Sequence, residues 1–151
     1  MKDEWKILKG NVNMWEDMDF QLLAGCRVLV VDDSSDITSL LADAFAMAGA
    51  HTVQVNSGTG AMDLLKAGGF DIVVLDLVMP QPDGWRVLEF MRNSPKWLNR
   101  TIISTANRYD PHVAEALTEY RVAHLFKPFL VTDLIAISWG LLARVEYTAA
   151  A

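Results

Sequence analysis

The sequence predicts an α/β protein with a doubly wound, five-stranded parallel sheet and helices on both faces. Two observations predict this fold class. From Arg27 onward, short β-branched segments alternate with segments in which apolar residues recur at helical spacing. Several β-branched segments, such as 28–31 and 72–75, are apolar at every position, which is typical of strands covered on both faces. Right-handed crossovers then bring the carboxyl ends of the strands to one edge, where ligands of such folds bind.

Five segments have the composition of strands. Each contains β-branched or aromatic residues and is separated from the next by a segment of helical periodicity. They are Arg27–Val31, His51–Val55, Asp71–Leu75, Arg100–Ser104 and Arg121–Phe126. A helix is predicted after each strand, which gives a repeated strand–helix unit.

Five helices are predicted between and after these strands. In the first, apolar residues recur at Ile37, Leu40, Leu41, Ala44, Phe45 and Ala48. Ser34, Ser35 or Asp36 could be its N-cap, and Gly49 would end it. The other four are 59–67, 85–93, 111–120 and 132–147. In the helix 111–120, Asp110 is the expected N-cap and Pro111 the first helical residue.

The composition fits one domain. The chain has 151 residues, of which 52% are hydrophobic and 21% charged, so burial can outweigh chain entropy. We expect the domain to span 26–148, preceded by an extension over 1–25 and followed by a tail over 149–151.

Charge and cysteine usage exclude several classes of function. The net charge is −6 and no run of Lys or Arg is present, so we expect no nucleic-acid binding. No window reaches the ~18 unbroken apolar residues of a membrane span, so we expect no membrane insertion. Cys26 is the sole cysteine, which excludes an intramolecular disulfide and favours a reducing cytoplasm.

Three carboxylates follow predicted strands. Asp32 and Asp33 follow the first strand and Asp76 follows the third, so all three should lie at one edge of the sheet. Two such charges at about 4 Å repel by roughly 4 kcal/mol at an effective dielectric near 20, which calls for a cation or a proton. Oxygen ligands without a nearby His or Cys favour Mg²⁺ over zinc.

Two further strand ends supply groups suited to a phosphate. Thr105 offers a hydroxyl donor, and Lys127 offers a mobile point charge. The alternative is that these five residues are only helix caps, turn residues or solvated surface charges.

Four motifs at the strand ends carry a family resemblance. They are Val28-Leu-Val-Val-Asp-Asp33, Asp76-Leu-Val-Met-Pro80 with Asp83-Gly84, Ser104-Thr-Ala106 and Lys127-Pro-Phe129. Together they resemble the receiver domain of two-component response regulators, over about 27–147. The resemblance implies the flavodoxin-like strand order 2-1-3-4-5.

The resemblance also implies a role for each site residue. Asp76 is the expected phosphoacceptor. The expected Mg²⁺ ligands are Asp76, Asp33 directly, Asp32 through water and the backbone carbonyl of Val78. Thr105 and Lys127 are expected to hold the phosphoryl oxygens, and the Lys127–Pro128 peptide bond is expected to be cis.

One position departs from the family pattern. Receivers usually carry Tyr or Phe three residues before the Lys that corresponds to Lys127. This aromatic side chain rotates when the Thr that corresponds to Thr105 moves on phosphorylation. Here that position is His124, so the switch pair would be Thr105 and His124. A plain surface histidine is the alternative.

The expected function is that of a phosphoacceptor. The chain would take a phosphoryl group from a histidine kinase or histidine phosphotransfer protein and change its contacts with an unknown protein target. It would catalyse its own modification without being a turnover enzyme. A phosphorylation-independent adaptor is the alternative, and an aspartyl phosphatase is disfavoured because Asp76-Leu-Val lacks a second acid.

The extension over 1–25 is one candidate to cover the apolar surface of the last predicted helix, 132–147. Asn13-Met-Trp-Glu16 has the form of a helix N-terminus, with Met14, Met18 and Leu22 on one face. The last helix has few charges and should leave apolar surface exposed. Either the extension covers that surface, or a second copy does through the face formed by the fourth and fifth helices and the fifth strand.

Overall fold

The computed structural model describes residues 21–150 of the chain, with side chains described through residue 144. Five parallel strands form one sheet in the order β2-β1-β3-β4-β5. The strands are β1 (Arg27–Val31), β2 (His51–Val55), β3 (Ile72–Leu75), β4 (Thr101–Thr105) and β5 (Ala123–Phe126). The predicted fold class and strand order are therefore confirmed.

Within residues 21–150, four helices of eight residues or more and a one-turn helix, Pro95–Leu98, connect the strands, and a fifth long helix follows β5. The five long helices are α1 (Ser35–Met47), α2 (Gly58–Ala67), α3 (Gly84–Met91), α4 (Pro111–Tyr120) and α5 (Val131–Ala150). No helix in the described part of the chain is both long and apolar enough to cross a membrane.

Two apolar cores explain why β3 and residues 28–31 of β1 are apolar at every position. On one face, Leu29, Val31 and Val73 pack with α2, α3 and α4. On the other face, Val28 and Val30 pack with α1 and α5. Successive side chains of a strand point to opposite faces, so both sets must be apolar. Helices therefore pack on both faces of the sheet, which holds the ends of the strands in place.

Capping residues fix where the helices begin. Among the three candidates for α1, the structure selects Ser34, whose hydroxyl accepts a hydrogen bond from the Ile37 amide at 3.4 Å. Asp110 caps α4 through the His112 amide at 2.9 Å, as predicted. Gly49, with φ of 86°, follows the end of α1 in the left-handed region, which glycine adopts at low cost.

Several predicted boundaries were wrong. β3 begins at Ile72, and Asp71 before it lies in a bend, where its carboxylate accepts a hydrogen bond from the Arg27 amide at 2.9 Å. β5 begins at Ala123, because Arg121 has φ of 53° and turns the chain out of α4. α3 ends at Met91, and the unpredicted one-turn helix has Pro95 at its first position.

The predicted helix from Asn13 lies almost wholly outside the described residues. Residues 21–25, including Leu22, form a turn. Leu23 is fully buried in this turn, and its amide donates to the Ala48 carbonyl at 2.9 Å. The chain therefore joins the fold at the end of α1, next to the start of β1.

Candidate functional site

The acidic site lies where β1 and β3 end. These neighbouring strands are in register, with Val31 opposite Leu75, so the residues that follow them are brought together. Ligand oxygens of Asp32, Asp33 and Asp76 all lie within 4.8 Å of one another. Asp32 and Asp76 are 3% and 6% exposed, whereas Asp33 is exposed. The predicted convergence of the three carboxylates is therefore present in the fold.

Lys127 reaches this cluster from the end of β5. Its Nζ donates to Asp32 Oδ2 at 2.6 Å and to Asp76 Oδ2 at 3.3 Å. The Lys127 amide donates to the Thr105 carbonyl at 2.9 Å, which ties the base of the side chain to β4. The Lys127–Pro128 peptide bond is cis, as is Gln81–Pro82, which the sequence reasoning did not anticipate.

The other oxygens of the two buried carboxylates are held by backbone amides. Asp32 Oδ1 accepts from the Ser34 amide at 2.9 Å, and Asp76 Oδ1 accepts from the Val78 amide at 3.2 Å. Each carboxylate therefore has one oxygen held by the backbone and one by Lys127. The orientation of both acids is fixed before any ligand binds.

Burial and charge act in opposite directions on the titration of the site. Burial raises the pKa of Asp76, and this outweighs the lowering effect of the Lys127 charge. For Lys127, burial lowers the pKa, but the hydrogen bond to Asp32 and the charge of Asp76 more than offset it, so the pKa is raised. The surroundings thus favour the charged form of Lys127 and disfavour the charged form of Asp76.

Thr105 and His124 differ in burial and in the residues that they contact. Thr105 ends β4, is fully buried, and its hydroxyl accepts from the Asn107 amide at 3.3 Å. His124 lies on β5 with an exposed side chain, and its ring centroid is 5.2 Å from that of Phe126. Arg108 lies over the same Phe126 ring at 5.4 Å. The structure thus places the His124 side chain on the exposed surface of β5.

Two further residues support the site: Asn56 was missed from the sequence, and Gly84 was noted only as part of a motif. Asn56 follows β2, and its amide donates to the Asp32 carbonyl at 2.8 Å. Gly84 begins α3 against the backbone of Asp76 and Leu77. The signal for Asn56 in the sequence is its position directly after β2, at the same edge of the sheet as the acids. Fold and site together define a doubly wound α/β protein with a lysine-bridged acidic site at the topological switch point of its sheet.

Comparison with known proteins gives the family. The model of the response regulator receiver domain family matches residues 28–138, so this chain belongs to the response regulator receiver domain family. The matched segment contains every acidic, hydroxyl and ammonium residue of the site. The family recognised from the four sequence motifs is confirmed.

The individual relatives are regulatory proteins and receiver domains. Regulatory protein AtoC of Escherichia coli is 33% identical over 72% of this chain and 23% of its own length. Transcriptional regulatory protein TcrA of Mycobacterium tuberculosis is 33% identical over 76% of this chain and 45% of its own length. The chain thus spans less than half the length of either relative. A Francisella response regulator 1452 receiver domain superposes with a TM-score of 0.72 at 29% identity, covering 80% of this chain and 99% of that one.

The donor set of the site fits a divalent cation. The site holds three carboxylates, and the one ammonium, that of Lys127, pairs with Asp32 and Asp76, which leaves an excess of negative charge in a partly buried space. All the donors are oxygens, as Mg²⁺ prefers, and the exposed side of Asp33 leaves room for the waters that Mg²⁺ retains. The donor set therefore matches the ligand preference of Mg²⁺.

Magnesium should stabilise the folded chain measurably. At ten times its dissociation constant, a ligand of the native state adds about 1.4 kcal/mol, or about 3–5 °C in melting temperature for a domain of this size. An Asp33→Asn variant should lose most of that increase, because it removes the exposed carboxylate of the cluster while the buried pair stays intact. Thermal melts with and without MgCl₂ measure this, with Asp63→Asn, on the exposed surface of α2, as control. An undiminished increase in Asp33→Asn would contradict the assignment.

Proposed function

We propose that this chain is the phosphoacceptor receiver of a two-component phosphorelay, with Asp76 as the residue that is phosphorylated. Membership in the receiver family supports this function. The observation that carries it is the Lys127 ammonium lying between Asp32 and Asp76. A phosphoryl group on Asp76 would meet that ammonium directly, so its charge is offset where it forms.

The proposed reaction transfers a phosphoryl group between two side chains. A carboxylate oxygen of Asp76 forms a bond to phosphorus, and the bond from phosphorus to the donor's histidine nitrogen breaks. Asp33, Asp76 and the Val78 carbonyl, with Asp32 acting through a water, would hold Mg²⁺, which would neutralise charge on the phosphoryl oxygens when bound. Lys127 and the Thr105 hydroxyl would bind the remaining oxygens. The chain supplies positioning and charge and so promotes its own modification without turnover.

The proposed donors are a histidine kinase or a histidine phosphotransfer protein. The output would be a change in contacts with another protein. We propose residues 26–148 as the domain that does this, with 1–25 as an extension and 149–151 as a tail. A cytoplasmic location remains a prediction from the single cysteine.

The proposed switch links the site to β5. Inward movement of the Thr105 hydroxyl toward a phosphoryl oxygen would change the space beside β5, where His124 packs on Phe126. A cavity of about 500 Å³ opens there, and Arg108, Phe129 and Leu130 also line it. Leu130 is 67% exposed, which supports this α4–β5–α5 face as a site for pairing with a second copy or for binding the target.

Incubation with acetyl phosphate and MgCl₂ tests the function. We expect the intact mass to increase by one phosphoryl group per chain, and the Asp76→Asn variant to gain none. Asp63→Asn should be phosphorylated normally, since Asp63 lies on the surface of α2. Peptide mapping should place the modification on Asp76.

The competing functions give different results in the same experiment. An adaptor that uses only the receiver fold would gain no phosphoryl group under any condition. A phosphatase would release phosphate continuously without a stable modified form. Modification that persists in Asp76→Asn would reject the assignment of the phosphoacceptor.

A further inference from the structure

A groove lies at the edge of the sheet opposite the acidic site. It has a volume of about 440 Å³ and runs between the turn that precedes β1 and the outer surface of α5. The residues that define it are Leu22, Cys26, Asp71, Arg100, Trp139 and Leu142. Asp71 and Arg100 stand just before β3 and β4, so the groove lies beside the amino ends of the strands.

The apolar wall of this groove is incompletely covered by the described residues. Trp139 is 52% exposed, although tryptophan is the largest apolar side chain. Leu22, Cys26 and Leu142 are partly buried and pack against the edge of the α1–α5 core. The groove is thus a continuation of the core that opens onto an exposed aromatic ring, which is the kind of surface that another apolar segment covers.

The chain itself enters the fold at the rim of this groove. Leu23 is anchored in the core, and the Gly25 amide donates to the Gly49 carbonyl at 3.3 Å. Leu22, one residue earlier, lines the groove. Residues 1–20 therefore join the described fold at the groove and not at the phosphorylation site. They also lie outside the segment 28–138 that matches the receiver family.

The sequence that precedes the groove has apolar residues at the spacing needed to follow it. Met14 and Met18 are four and eight residues before Leu22, so in a helix all three lie along one face. At about 1.5 Å per residue, Met18 and Met14 would stand roughly 6 and 12 Å from Leu22. Methionine side chains adapt to irregular grooves and make favourable contacts with aromatic rings, and Trp139 offers such a ring.

We infer that residues 13–20 of this chain dock in the groove as an amphipathic helix, with Met14 and Met18 against Trp139 and Leu142. The docked segment closes the amino-end edge of the sheet and leaves the acidic site and the α4–β5–α5 face open. It is an interaction within one chain, and it does not depend on phosphorylation of Asp76.

Cys26 is a built-in probe of this docking. It is the sole cysteine of the chain and lines the groove, so its alkylation by iodoacetamide reports whether the groove is covered. In the full chain we expect Met18→Asp to speed alkylation about tenfold, because a docked segment protects the thiol only while it stays in place. Val12→Asp makes the same apolar-to-charged change off the Met14–Met18 face and should leave the rate unchanged. Melting temperatures of both variants check that the fold is intact.

A photocrosslink identifies the occupant independently of the thiol. A benzophenone amino acid at position 18 should crosslink within one chain to the peptide that contains Trp139 and Leu142. Equal alkylation rates in Met18→Asp and Val12→Asp, without this crosslink, would overturn the inference. Protection that rises with protein concentration, together with crosslinks between chains, would show that a second copy fills the groove and would also overturn it.

Discussion

Replacing Lys127 with Met should lower the free energy of unfolding by about 3 kcal/mol at neutral pH without Mg²⁺. The ammonium lies between two carboxylates that are almost completely buried, at 2.6 Å from Asp32 and 3.3 Å from Asp76. Removing one partner of a buried charge pair leaves the other charge uncompensated, which is far more costly than the net value of the pair. Met keeps much of the apolar stem, so packing changes little. Urea unfolding measures the loss.

The pH dependence of this loss identifies its origin. Burial already raises the pKa of Asp76, and removing Lys127 withdraws the charge that opposes the rise. A carboxyl group with a raised native pKa contributes stability below its unfolded value of 3.8 and loses that contribution as the pH rises through the native pKa. The deficit of Lys127→Met should therefore shrink in acid and grow toward neutrality.

Magnesium and a surface lysine provide the controls. Saturating MgCl₂ should recover part of the lost stability, because a divalent cation offsets the same carboxylates. Lys66→Met, on the exposed surface of α2 beside Asp63, should change stability by less than about 0.5 kcal/mol. Phosphorylation by acetyl phosphate should slow by about 10²-fold in Lys127→Met. A Lys127→Met chain as stable as Lys66→Met would show that the buried acids are already neutral.

The sheet and the acidic cluster were predictable because they follow from local pattern and topology. Continuous apolar runs such as Val28–Val31 require cover on both faces, and parallel strands then bring Asp32 and Asp76 to one edge. The chemical type of each residue at that edge is visible in the sequence. Ligand chemistry could therefore be inferred before any distance was available.

Other features were not predictable because they depend on how elements pack. The choice of Ser34 over Ser35 as the cap of α1 depends on a single hydrogen bond. The start of β5 depends on the left-handed conformation of Arg121, a residue with no intrinsic preference for it. The close approach of α3 to the Asp76 loop is likewise a tertiary contact. Sequence periodicity shows that α3 exists but does not show which backbone it touches.

Gly84→Ala should strongly destabilise the fold near the site, although it adds only a single methyl group. Gly84 is the first residue of α3, and its amide donates to the Leu77 carbonyl at 3.2 Å. A Cβ at this position would overlap the Asp76 carbonyl oxygen and lie 2.6 Å from Leu77 Cα. Both obstacles are backbone atoms, so no side chain can turn aside. We expect a loss of about 3 kcal/mol or more in stability.

The effect of Gly84→Ala should extend from stability to the acidic site. The loop can relieve the overlap only by moving Asp76 and Leu77 away from α3, which shifts the carboxylate relative to Asp32 and Lys127. The stabilisation by Mg²⁺ should therefore be lost along with intrinsic stability. Gly140→Ala is the matched control: Gly140 lies within α5 with nothing within 4 Å of an added Cβ, so it should stabilise the chain by about 0.5–1 kcal/mol. If Gly84→Ala melted like Gly140→Ala and kept its response to Mg²⁺, α3 would not be positioning the Asp76 loop.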